Sequence, residues 1–262
     1  MNTARYKSFV KYSLINLRKF FLAKIPGLIS LYYRHLWTAK PGSLAEVLHH
    51  FSLQMEKEVF FIQVGSNDGF QHDPLCKFIK RDKWQGLLFE PQDRAFKTLC
   101  YIYQKDAVTP INKAIDRTVS SKKLYKIAFT DARWASGLSS FDKVQLTQKV
   151  ADGSIDKKCL KEGITPPSQQ SDYIDHATIV CTTFESAFET QQVKKVDLLH
   201  IDTEGYDFEI LKLFDFDSYL PTMVIFEKTH LSPEVYQAAK EYLTGYGYEM
   251  DERAADAIGI RG

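Results

Sequence analysis

Residues 59–91 read VFFIQVGSNDGFQHDPLCKFIKRDKWQGLLFEP, and this stretch decides the fold. Two short apolar runs, Val59–Val64 and Gly86–Phe89, bracket a helix-sized segment opened by Asp73-Pro74. The order is strand, glycine turn, helix, strand, with an acidic residue ending the second strand. Apart from Gln63 the first run is apolar throughout, the pattern of a strand buried on both faces of a parallel sheet. In the turn Gly65-Ser66-Asn67-Asp68-Gly69 two of five residues lack a Cβ, so the backbone can pass close to a ligand. Glu90 follows Gly65 by 25 residues, at the carboxyl end of the second strand, where a carboxylate can accept both hydroxyls of a ribose. The expectation is a nucleoside-containing cofactor at the switch point of an open α/β sheet.

Outward from this stretch the alternation continues. A helix is expected over 93–103 and a third strand over 107–115, with Pro110 placing it near a sheet edge. Lys122–Phe129 alternates as an added strand, and Thr178–Thr183 is a short β-rich run before a helix over 184–189. Val196–Ile201 is a further buried strand that runs into Asp202-Thr-Glu204-Gly-Tyr-Asp207 and a helix over 208–214. Pro221–Phe226 is the next, closing on Glu227 and His230. Ser232-Pro233 opens a helix as N-cap and first-turn proline, ending near Gly245, and Tyr246–Met250 with Ala257–Ile260 forms a terminal β-pair. The fold class is α/β: a Rossmann-like, open, mostly parallel sheet with helices on both faces and an antiparallel C-terminal strand. Residues 130–178 are too long and polar for a simple connection, so they read as an insertion over the active site with substrate contacts from Trp134–Phe141. A disordered surface excursion explains 150–175 equally well.

Residues 1–45 form a separate basic segment, with eight lysines and arginines and no acid. The remainder therefore carries 26 basic against 33 acidic residues, a net of −7, which argues against nucleic acid as a partner. In the basic segment Phe, Leu and Ile interleave with Lys and Arg. That pattern suits a helix lying in a membrane interface as well as one packed on the domain with its lysines solvated. Its longest uncharged stretch, Ile25–Tyr33, is too short to span a bilayer, and Pro26-Gly27 breaks the segment in two. Ser43-x-x-Glu46 is a capping box opening a helix to about Gln54, so the α/β domain begins near residue 46 and runs to 262. Four cysteines without metal or disulfide spacing suggest reduced thiols and a cytoplasmic protein, with contact at the inner face of the membrane if residues 1–40 dock there.

The glycine turn is GxxxG rather than GxGxxG, weak alone. Its weight comes from the further strand ends that carry acids: Glu90, Asp202 with Glu204, and Glu227. With these residues in view, the sequence resembles the FkbM family of S-adenosylmethionine-dependent methyltransferases of class I, Rossmann-like fold. The resemblance rests on IQVGSNDG (62–69), LLFEP (87–91), NKAI (112–115), VDLLHIDTEGYDFEIL (196–211) and MVIFE (223–227), in that order over residues 58–260. It implies that Gln63, Gly65, Ser66, Asn67, Asp68, Gly69, Glu90, Asn112 and Asp202 surround the cofactor, with Glu90 on the ribose and Asn112 near the adenine. Gln63 stands where the family often has Asp, so a charge is missing there. The family's usual acceptors are sugars and other small hydroxylated molecules, which implies O-methylation of a glycan or glycolipid hydroxyl. Such a hydroxyl needs its proton taken. Asp202 and Glu204 are the first candidates, then Glu227 and His230; His200 is more readily a structural imidazole. A divalent metal on Asp202, Glu204 and Glu227 is compatible with hard carboxylate ligands, though nothing in the spacing demands it. The rivals are a NAD-dependent oxidoreductase, disfavoured by the absent GxGxxG, and a degenerate membrane-associated binding module.

Overall fold

The computed structural model of the chain describes residues 3–55, 58–130 and 132–262, with side chains from residue 12 onward. Three helices lead: α1 (Thr3–Lys24), α2 (Pro26–His35) and α3 (Leu44–Gln54). The decisive stretch follows as β1 (Phe60–Val64), α4 (Cys76–Asp82) and β2 (Gln85–Phe89), then α5 (Asp93–Tyr103) and β3 (Val108–Ile111). Next come β4 (Ala114–Ile115), β5 (Ser120–Ile127), α6 (Arg133–Ser136), α7 (Lys143–Ala151), α8 (Ser154–Glu162) and β6 (Ile174–Thr182). The chain ends with α9 (Phe184–Gln191), β7 (Leu198–Ile201), α10 (Asp207–Leu213), β8 (Met223–Glu227), α11 (Pro233–Gly245), β9 (Glu249–Arg253) and β10 (Asp256–Ile260).

Seven strands make one sheet in the order β3-β2-β1-β7-β8-β10-β9. It is parallel from β3 to β8, and β10 joins β8 and β9 antiparallel. The order turns outward in opposite directions from β1 and β7, which puts the switch point between their carboxyl ends. Why these runs are apolar on nearly every residue is visible in where they point. Ile62, Val64, Leu87, Phe89, Leu199 and Ile201 enter one core layer with residues of α9, α10 and α11. Their neighbours Phe61, Leu88, Leu198 and Ile225 enter the other, with residues of α3, α4 and α5.

Asp73 starts α4 by accepting the N–H groups of Leu75 (2.7 Å) and Cys76 (2.9 Å). At Ser43 the structure departs from a closed capping box. The hydroxyl donates back to the carbonyl of Lys40 (2.6 Å), and Glu46 accepts from Gly42 N–H (2.7 Å). The expected strand over 107–115 is also two strands. β3 keeps the sheet edge that Pro110 requires. The amide of Asn112 then donates to the carbonyls of Glu90 (3.0 Å) and Pro91 (3.2 Å), groups that a continuing strand would have bonded. β4 leaves the plane and pairs with β6 in a separate sheet of order β4-β6-β5. Residues 150–175 are not a disordered excursion. Leu146 and Val150 of α7 and Ile155 and Cys159 of α8, each pair one helical turn apart, bury a small core against Ile127 and Tyr173.

The N-terminal helices pack one side on the domain. Lys80, fully buried, donates its Nζ to the carbonyls of Leu22 (2.9 Å) and Ile102 (2.8 Å) and pairs with the Asp106 carboxylate. Ser30 and Arg34 both donate to the Arg81 carbonyl (3.3 and 3.2 Å). Among the described residues no helix is long and apolar enough to cross a membrane. Lys80→Met removes one member of a buried ion pair and leaves Asp106 unpaired, so it should cost about 3 kcal/mol. Urea unfolding of the purified variant measures this; an unchanged midpoint would contradict the role given to Lys80.

Candidate active site

The carboxyl ends of β1, β2 and β7 converge because residue 65 has no side chain. A Cβ at Gly65, where φ is +82°, would stand 1.8 Å from the carbonyl oxygen of Asp202. With that space free, Gly65 N–H (3.1 Å) and Ser66 N–H (3.0 Å) both donate to the Phe89 carbonyl, and Asp202 N–H donates to Val64 (3.0 Å). Glu90 then lies under the turn. Its Oε2 accepts Asn67 N–H and its Oε1 accepts Gln92 N–H, both at 2.8 Å. Burial pushes its carboxyl up to about 7, against the pull of those N–H groups and of the Arg133 guanidinium.

The segment after β7 is set by Asp207. This fully buried carboxylate accepts the N–H groups of Thr203 (3.3 Å), Gly205 (3.1 Å) and Glu227 (3.3 Å), tying the β7 turn to the end of β8. Its carboxyl is raised to about 6 by burial, which the three donors oppose. Glu204 (φ +54°) and Gly205 (φ +101°) take left-handed conformations there. Glu204 thereby meets His230: Oε2 lies 3.1 Å from Nε2, and Glu227 Oε1 is 3.8 Å from the same nitrogen. Glu204, through its contact with the ring, and Glu227 hold the His230 imidazole above its usual range. Asp202 is raised to about 8, first by burial and then by the negative charges of Glu227, Asp207 and Glu204, with Arg133 opposing. Glu227 rises to about 7, chiefly by burial, with His230 opposing. His200 is buried in mid-sheet beside Gln63, and burial alone lowers it to about 4, a neutral structural imidazole.

Gly65, Asn67, Glu90, Arg133, Asp202 and Glu204 line a cleft of about 80 Å³ between the strand ends and α6. It continues into a groove of about 880 Å³ and shares seven wall residues with it, among them Asn67, Gln92, Arg133 and Ser136. Gln92 fastens the 136–139 loop over the cleft: its amide donates to the Ser136 carbonyl (3.1 Å) and its oxygen accepts from Ser139 (3.0 Å). Together the two spaces have the size of a cofactor and ligand site. The polar wall fits a nucleoside cofactor with a cationic centre. Glu90 would hold ribose hydroxyls, Gly65 would allow close approach, and Asp202 would face the positive charge. Two polar groups in the wall, Arg133 Nε and the Thr203 hydroxyl, have no hydrogen-bond partner among the described residues.

Of the residues singled out from sequence, Gly65, Asn67, Glu90, Asp202 and Glu204 line the cleft, with Glu227 and His230 against Glu204. Asp68 and Asn112 line the groove instead, Asp68 with its carboxylate on Phe70 and Gln71 N–H and Asn112 with its amide on the backbone. Gln63, Ser66 and Gly69 line neither space. Gln63 donates to Asp73 (3.1 Å), Ser66 to the Gln63 carbonyl (3.3 Å), and a Cβ at Gly69 would stand 2.4 Å from Leu99. The metal-competent set also differs from the expected one. Glu204, Glu227 and His230, not Asp202, bring one donor atom each within 4.8 Å of one another. Asp202 stays apart because its backbone is bound to β1. Arg133 and Gln92 were not legible in the sequence; only their place near the flagged Trp134–Phe141 segment and after Glu90 pointed toward them.

A carboxylate ending the second strand, a glycine turn at the switch point and a seven-stranded sheet with a reversed last strand define a class I S-adenosylmethionine-dependent methyltransferase. The profile of the methyltransferase FkbM domain matches residues 63–250, and the chain belongs to that family. No curated protein matches the chain in sequence. Among solved structures, similarity extends to a human methyltransferase 10 domain containing protein, at 11% identity over 90% of this chain and 96% of that one, with a TM-score of 0.43. The N-terminal domain of human METTL16 in complex with SAH aligns at 11% identity over 86% of this chain and 72% of the other, with a TM-score of 0.41. A precorrin-6y C5,15-methyltransferase from Geobacter metallireducens gives 9% identity, 86% and 93% coverage and a TM-score of 0.40.

Two outcomes test the site. Glu90→Gln should weaken S-adenosylmethionine binding by roughly 10- to 100-fold, the worth of hydrogen bonds to a charged group. In the wild type, affinity should rise with pH from about 6 and level only above about 9, a unit past the higher of the two carboxyls. Glu90 and Asp202, at about 7 and about 8, bind the cofactor best when ionised. Calorimetric titration at several pH values reads both, and a pH-independent affinity would contradict the assignment. Asp207→Ala should lower stability by about 2–3 kcal/mol, because it strands three backbone N–H groups. Thermal denaturation reads that loss.

Proposed function

We propose that the enzyme methylates a hydroxyl group of a sugar, glycan or glycolipid. The observation that carries this reading is the His230–Glu204 pair beside the cleft, a base of the kind a hydroxyl acceptor needs and a more acidic acceptor would not. The groove supports it. Asp68, Gln71, Asp93 and Asn112 offer polar groups to a hydroxyl-rich molecule, and Trp134 adds a ring whose indole N–H is buried without a partner among the described residues.

The bound cofactor supplies a methyl group on a positively charged sulfur. The chain's part is alignment and proton removal. S-adenosylmethionine held at Gly65, Glu90 and Asp202 would supply the electrophilic methyl group, and the neutral ring of His230 would take the proton of the acceptor hydroxyl. Glu204 then holds the imidazolium. Asp202 is the weaker candidate as base, since the positive charge of the cofactor beside it would favour its carboxylate and lower its basicity. Its role in this reading is to balance the sulfonium. This reading puts the enzyme in the cytoplasm, where its four cysteines, all free, stay thiols.

His230→Ala should lower kcat by about 10²–10⁴ and leave cofactor affinity within about twofold. In the wild type kcat should rise with pH to a plateau displaced above the ordinary imidazole range, because the raised imidazole must lose its proton before it can act. Radiolabel transfer onto a panel of sugars and glycolipids reads both. Labelling of amines or carboxylates alone would overturn the hydroxyl reading. The compact set Glu204, Glu227 and His230 favours a second reading, in which a divalent cation there lowers the hydroxyl's pKa directly. Activity lost to EDTA and restored by magnesium or manganese would select it, and activity indifferent to EDTA would select the base.

A further inference from the structure

The two N-terminal helices are apolar on opposite sides, and the domain covers only one of them. On α1, Leu22 and Ala23 are fully buried toward the body, whereas Leu14, Leu17 and Phe20 are about half exposed on the other side (60%, 52% and 47%). Their spacing of three sets them along one slowly turning stripe, and Leu17 and Phe20 lie more than a third of a turn from Leu22. On α2, Ser30 and Tyr33 are buried, and Leu28, Leu31 and Leu36 stand out to solvent. A helix apolar on both sides is a helix with two faces to cover.

Charge indicates what the cover is. No acid precedes Glu46, while Arg18, Lys19, Lys24, Arg34 and Lys40 belong to this segment. Arg18 and Lys19 lie over the Phe70 ring and Lys24 over Tyr101, on the body side of α1, while Arg18, Lys24, Arg34 and Lys40 keep exposed surface along the edge of the segment. Basic groups flanking an apolar face suit phosphate headgroups above acyl chains. A second copy of the same face would bring like charges together. The rest of the chain carries a net −7, so an anionic surface favours this segment over the body taken as a whole.

We propose that the outer faces of α1 and α2 dock on an anionic lipid bilayer. Tyr12, Ile15, Asn16 and Lys19, on the inner side of α1, wall the 880 Å³ groove. In the docked state α1 therefore separates bilayer from groove, with the groove opening alongside it. Docking itself does not depend on the hydroxyl-transfer reading; only the inference that the acceptor is then a glycolipid headgroup rests on it.

The test is co-sedimentation of the full chain with phosphatidylcholine vesicles and with vesicles of phosphatidylcholine and phosphatidylglycerol at about 7:3. The wild type should bind the anionic vesicles at least tenfold more tightly than the neutral ones. The variant Leu14→Glu, Leu17→Glu, Leu31→Glu should lose at least tenfold of that affinity, and its melting temperature and S-adenosylmethionine affinity should be unchanged. Wild-type protein left in the supernatant with anionic vesicles overturns the proposal. So does equal binding by the folded variant, or a wild-type dimer in sedimentation velocity that the same substitutions dissolve. The unchanged cofactor affinity separates failure of docking from failure of the enzymatic reading.

Discussion

The end of β1 and the end of β7 approach each other closely, and that approach depends on one missing side chain. Any Cβ at position 65 would overlap the Asp202 carbonyl, and the residue holds a positive φ that glycine tolerates best. Because the two backbones meet there, Phe89 receives two N–H groups from the turn and the end of β2 is drawn in as well. Glu90 and Asp202, 112 positions apart in the chain, then face one cleft. Neither carboxylate could be placed so near the other by local structure, since each ends a different strand of the sheet.

Bringing acids together in a half-buried cleft is costly, and the structure shows how the cost is distributed. Asp207 is surrounded by N–H donors and works as a brace, fixing the β7 turn relative to β8. Asp202 has no comparable set of donors and carries the larger shift. Carboxyls raised in the fold oppose it once ionised. Glu90 and Asp202 therefore withdraw stability as pH rises from their unfolded values near 4 to about 7 and 8. A cationic ligand reverses that sign by favouring the charged forms. Arg133, reaching over the cleft from α6, supplies part of the compensation.

The segment between β5 and β6 and the N-terminal helices surround this site from outside the main sheet. β4, β5 and β6 form a second small sheet, and α6–α8 cover it with a core of their own. Gln92 links that cover to the end of β2, so the wall of the cleft is joined to the residue that carries Glu90. Lys80 does the equivalent for α1, binding its carbonyls and those of α5 through one buried ammonium.

The sequence alone determined the order of elements and the rim of acids. Strands buried on both faces must be apolar at nearly every position, and that constraint leaves runs such as Phe60–Val64 and Leu198–Ile201, interrupted only by Gln63 and His200, readable without neighbours. Helix starts at Asp73 and Ser232 were legible for the same local reason, a side chain accepting nearby N–H groups. What lay beyond it was set by contacts between distant residues. The break after Ile111 follows from an Asn112 bond to the neighbouring strand end. The pairing of Glu204 with His230 follows from a turn held in the left-handed region by Asp207. Arg133 reaches the cofactor cleft because a separate small core folds the polar insertion back over the sheet. Periodicity reports how a segment meets its surroundings on average, and only the packed chain decides which groups those surroundings bring within hydrogen-bonding distance.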